Sequence, residues 1–109
     1  MAWLLRDGDV LASLEIPTSR RGRARGLLGR DGCEGAMLLA PARSVHTVGM
    51  RFAIDVAYCD DEMKVIGVSM MPPRRVGMPR WQARSVVEAE AGACERWSLT
   101  IGQQLEVRE

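Results

Sequence analysis

Long apolar runs are what this chain of 109 residues most plainly lacks. An uninterrupted one such as Ala36 to Ala40, which no other run exceeds, falls far short of the ~20 residues that a membrane-crossing helix needs. A charge of one sign is missing too. Fifteen basic residues against fourteen acidic ones leave a formal net charge of +1, so no overall field draws the chain to nucleic acid or to a membrane surface. Histidine occurs once, at His46, and cysteine three times, at Cys33, Cys59 and Cys94, with no Cys-x-x-Cys pair. One imidazole and three scattered thiols do not make a zinc site. The odd count reads instead as free buried thiols in a reducing compartment. The first six residues, Met1 to Arg6, lack the basic start and long apolar stretch of a secretion signal, so a cytoplasmic protein is expected. Gly-x-Ser-x-Gly, His-Glu-x-x-His and phosphate-loop motifs are absent as well. No cofactor and no metal is implied.

What is present is ordinary in bulk and uneven in detail. Hydrophobic residues make up 47% and charged residues 27%, a balance typical of a globular domain. The length fits one domain, residues 1–109, able to bury roughly two-thirds of its unfolded surface. Arginines crowd residues 17–51 and recur at Arg74, Arg75, Arg80 and Arg84, whereas the last twenty-five residues lean acidic. All basic residues except Lys64 are arginine, a compositional bias from which no function is read.

Local patterns place the elements. Trp3 to Arg6 and Val10 to Ile16 flank Asp7-Gly8 and read as a hairpin, because Asp-Gly accepts the positive φ of a two-residue turn. Thr18 or Ser19 can cap a short helix whose apolar stripe is Ala24, Leu27 and Leu28 and whose stop is Gly29. Gly22 and Gly26 weaken that helix by about 1 kcal/mol each relative to alanine. Further strands are expected at Gly35–Leu39, at Phe52–Cys59 with its partner Met63–Met71 across Asp60-Asp61-Glu62, at Arg84–Ala89 and at Gln104–Arg108. A short helix is expected around Cys94–Trp97. Residues 72–80 carry three prolines and cannot be a central strand. The sum is an α+β domain, a mostly antiparallel curled sheet or small barrel of six to seven short strands with one or two short helices.

The segment from Ser44 to Asp60 holds the chemistry. Side chains alternate along a strand, so Phe52, Ile54, Val56 and Tyr58 share one large apolar face. Ala53, Asp55, Ala57 and Cys59 share the other. Asp55 therefore stands among small residues that leave room beside it. Either loop amides or an arginine fill that room and Asp55 pins a loop, or the room is a pocket and Asp55 meets a ligand. An unpartnered buried carboxylate would cost several kcal/mol, which requires one or the other. His46, Thr47 and Arg51 precede the strand and supply donors and acceptors. Glu88 is a second strand carboxylate, and two such groups brought together could do acid–base work. Trp81 reads as a ligand platform or as a plug for the 72–80 loop. Arg20 to Arg25 read as a solvated helix face, without the interleaved aromatics that base stacking needs. The scattered methionines read as core filler.

Three blocks, "RARGLLGRDGCEGAMLLAP", "SVHTVGMRFAIDVAYCDDEMKVIGV" and "VVEAEAGACERWSLTIGQQLEV", together resemble the uncharacterised prokaryotic family known as domain of unknown function 192, from about Arg20 to Val107. Gly26 to Arg30, His46-Thr47, Gly49-Met50, Ile54-Asp55-Val56, Glu88 and Ala91-Gly92 carry the likeness. Ala53 and Glu90 stand where the family often has proline, and Cys59 where it often has an aromatic residue, which bears on local loops rather than on the fold. The resemblance implies a compact, mostly antiparallel fold and no established activity. Many members carry an export leader, and none is expected here.

The expectation is thus a small polar-ligand-binding or accessory domain without chemistry of its own, its site drawn from His46, Arg51, Asp55, Trp81 and Glu88. A small hydrolase using a carboxylate and His46 is the first alternative, and a protein-interaction module built on the 72–81 loop and the Arg20–Arg25 face is the second. The partner would be a small polar molecule or a protein. Nucleic acid and a membrane-spanning role are argued against, and the oligomeric state is left open.

Overall fold

The computed structural model describes residues 1–109 and shows a seven-stranded curled sheet with two short helices. The strands are β1 (Ala2–Arg6), β2 (Asp9–Glu15), β3 (Ala36–Leu39), β4 (Ile54–Cys59), β5 (Val65–Met71), β6 (Ser85–Glu90) and β7 (Glu106–Arg108). The helices are α1 (Arg20–Arg25), between β2 and β3, and α2 (Ala93–Arg96), between β6 and β7. Strand order is β5-β4-β6-β3-β2-β1-β7. Every pairing is antiparallel except β2 with β3, which run parallel over Leu14–Glu15 and Ala36–Met37. That pair is the one joined by a helical crossover rather than a tight turn, as parallel neighbours require.

The hairpin turns at Asp7 and Gly8, at φ 52° and 84°, the left-handed pair that matches strand twist. The sheet does not close into a barrel. Its two ends nevertheless approach, through a bridge between Lys64 and Gln104 and backbone bonds from Val65 to Gln103 and from Leu105 to Met63. Curling of this kind follows from the twist that each strand adds to its neighbour.

Alternation sorts the core into two layers. Ile54, Val56 and Tyr58 pack with Leu27, Met37, Val45, Met50 and Val86 on one face of the sheet. Ala57 and Cys59 pack with Leu4, Val87, Ala89, Ala93 and Cys94 on the other. β4 lies between β5 and β6 and is buried along its whole length.

The first helix is shorter than its apolar stripe predicts. Ser19 caps it, its hydroxyl accepting from the Gly22 N–H at 2.9 Å. It ends at Gly26, one turn before Gly29, because Gly26 adopts φ +50° and sends its N–H back to the Gly22 carbonyl. No residue of α1 is buried, and Leu27 reaches the core only from the turn that follows.

Residues 72–80 are irregular, as their prolines dictate, and they are tightly held. Thr47, fully buried, donates from Oγ1 to the Pro72 carbonyl at 2.6 Å and accepts from the Arg75 N–H at 2.8 Å. The Thr47 N–H donates to the Arg75 carbonyl at 2.7 Å, and the Gly77 N–H to the Val45 carbonyl at 2.8 Å.

Candidate functional site

The two strand carboxylates come to adjacent strands and opposite faces. Asp55 on β4 is registered against Ala89 on β6, and Val56 against Glu88. Directly opposed residues share a face and successive ones do not. Asp55 therefore faces the α2 layer and Glu88 faces the layer of Leu27 and Met37. The acid–base pair that Asp55 and Glu88 would form is divided by the sheet itself.

On the α2 side, the room beside Asp55 is filled. Its Oδ2 accepts from the Gly92 N–H and the Cys94 N–H, both at 3.0 Å, and it is 7% exposed. These are two of the amides that a helix start leaves without partners, and a carboxylate there also suits the helix dipole. Gly92 permits the arrangement by taking φ +101° at the N-cap. Asp55 pins the loop into α2. Beside it, burial and then the Asp55 charge push the Cys94 thiol up to about 11, and burial pushes the Cys59 thiol up to about 12. Both stay protonated, and all three cysteines are free.

On the other side, Glu88 is 4% exposed and receives no hydrogen bond from the protein. Burial alone raises its carboxyl to about 7. Its oxygens open onto a cavity of about 170 Å³. The apolar wall includes Leu27, Leu39, Val45 and Met50, with His46 and Ser44 at the polar edge and Arg23 and Arg25 at the rim. Gly26 forms part of this roof, and a methyl group placed on it would lie 3.9 Å from Glu88 Oε1. The carboxyl thus sits beneath the C-terminal end of α1, where carbonyls rather than amides are left over.

The remaining sequence candidates lie elsewhere. His46 is exposed and bridges to Val76, yet lines the Glu88 cavity. Arg51 is spent on an exposed ion pair with Asp31 at 2.9 Å. Trp81 stands 74% exposed and plugs nothing. The structure brings His46 and Glu88 together and leaves Arg51, Asp55 and Trp81 outside their cavity. Sequence reasoning missed Gly26, Leu27 and Met50 as cavity residues. A glycine at an early helix stop, followed at once by a buried leucine, was the available signal.

A family model described as Uncharacterized ACR, COG1430 (DUF192) matches residues 3–107. A UPF0127 protein of Pyrococcus furiosus is 35% identical over 63 residues, which are 58% of this chain and 54% of that protein. The match thus spans about half the length of that relative. Two solved structures superpose at a TM-score of 0.80. One is a protein of unknown function from Novosphingobium aromaticivorans DSM 12444, at 16% identity over 96% of this chain and 82% of its own. The other, from Sinorhizobium meliloti 1021, is described as a candidate transcription regulator and is 15% identical over 97% of this chain and 91% of its own. At such identities the likeness is one of fold. No helix is long and apolar enough to cross a membrane.

Proposed function

Because this chain belongs to the DUF192 family, a domain family of unknown function, we propose its role from the Glu88 cavity: it binds a small ligand that offers a hydrogen-bond donor to the buried carboxyl and an apolar flank to Leu27, Leu39 and Val45. One observation carries this reading. A carboxyl 4% exposed, with no partner in the protein, faces an opening instead of a neighbouring side chain. Buried polar groups are otherwise almost always bonded, and a ligand amine, amide or hydroxyl is the natural complement. The volume of about 170 Å³ holds roughly six waters' share of liquid, so the ligand is a fragment-sized molecule. His46 and Ser44 at the edge can bond its far end. Binding without chemistry suits a site with one acid and one imidazole, since Asp55 is committed to α2 on the other side. The three free thiols suit a reducing compartment, the cytoplasm.

The test is a titration of the 13C-labelled Glu88 carboxyl with propylamine, propionamide and 1,2-propanediol. At least one of the three should shift the Glu88 resonance saturably and raise the melting temperature by mass action, and Glu88→Leu should abolish the rise in melting temperature. Unmoved Glu88 resonances with all three probes at tens of millimolar would discard the reading.

A further inference from the structure

The opposite chemistry occurs on the strand edge of the same face. Beneath the 72–80 loop lies a second hollow, of about 350 Å³, which shares no lining residue with the Glu88 cavity. That volume is within the range of small-molecule sites. Its floor is the buried Tyr58 and its walls include the exposed Met70, Val76 and Met78. Its charges are Arg75 and Arg80, and no carboxylate lines it.

We propose that this hollow is an anion site for an organic carboxylate bearing a short apolar tail, with the carboxylate held between Arg75 and Arg80 and the tail lying against Met70, Val76 and Met78.

Three observations support the assignment. First, the guanidiniums have no acid to neutralise them. The sequence holds no Asp or Glu between Glu62 and Glu88, and the three ion pairs of the molecule involve Arg30, Arg51 and Arg108 instead. Arg75 reaches only the adjacent Arg74 carbonyl, at 3.5 Å. Second, the Arg80 guanidinium is held in place. It lies 4.5 Å from the centre of the Tyr58 ring, a cation–π contact. It also occupies space left by Gly67, where any side chain would collide with it. Planar guanidinium groups with a free edge bind carboxylates in a bidentate way. Third, the hollow is built in advance. Thr47 locks the backbone of Arg75 from both sides and Val45 holds Gly77, so a ligand would not have to order the loop. Apolar walls beside two unpaired cations select for a molecule with both characters.

The experiment titrates the 15N-labelled protein with octanoate, and in parallel with octylamine and 1-octanol, following the Gly67 and Gly77 amides. Octanoate should shift both saturably, and octanol and octylamine should bind at least tenfold more weakly. Arg80→Gln and Arg75→Gln should each weaken octanoate about tenfold or more. Arg75 is exposed and its side chain supports nothing else, so its variant separates lost binding from lost folding. Equal binding of octylamine, octanoate affinity unchanged in both variants, or no movement of either glycine with octanoate would overturn the assignment.

Discussion

Asp55 and Glu88 are one register step apart on neighbouring central strands, and each is covered by a short helix. Asp55 meets the start of α2, where amides point at it. Glu88 meets the end of α1, where none does. Burial is nearly equal, at 7% and 4%. The difference lies in which end of a helix each carboxyl sees. Backbone donors compensate the lost hydration of one carboxylate, and the other is left with a raised proton affinity and an opening to solvent. A buried acid is thus pinned or left without a protein partner according to the dipoles around it.

The sharpest way to break the contrast is Asp55→Ala. It strands the Gly92 and Cys94 amides, and two charge-assisted bonds are worth roughly 3–4 kcal/mol together. Urea unfolding should show that loss, with Asp55→Asn costing less because one acceptor oxygen remains.

Glu88→Gln should act in the reverse direction and depend on pH. Burial pushes the folded carboxyl up to about 7, from an ordinary value of 4.5. Between those values the folded chain keeps a proton that the unfolded chain has released, so stability falls as pH rises through this window. A shift of that size corresponds to about 3 kcal/mol at most. Glu88→Gln should therefore equal the parent near pH 4 and be the more stable by up to that amount near pH 8. Unfolding curves at the two pH values check the sign, and a variant less stable at pH 8 would refute the burial argument.

The smallest effect concerns the cover over Glu88. Ser19→Ala removes the one side-chain cap of α1 and should cost about 1 kcal/mol or less. Because α1 buries none of its own residues, the loss should appear as faster amide exchange over residues 20–26 rather than as a lower global stability.

Much of this was legible beforehand. The Asp7-Gly8 turn, the apolar face of Ile54, Val56 and Tyr58, the small-residue face around Asp55 and the irregular 72–80 loop all follow from residue type and spacing. The early end of α1 was missed because the Leu27-Leu28 periodicity outweighed Gly26 in a local reading. The reading of Trp81 as a plug fails because the packing of the loop leaves its ring bare. His46 was singled out with its neighbours in sequence, whereas its cavity partners come from β6 and the turn after α1.

Residue order alone determined which side chains share a face within each strand, since alternation is a property of the extended backbone. It could not determine how two strands are set against each other. The pairing of Val56 with Glu88 and of Asp55 with Ala89 arises from tertiary contacts that bury the large side chains of both strands together. A shift of one position would put both carboxyls on one face. The register that the core imposes therefore places one acid against amide donors and the other against an open hollow.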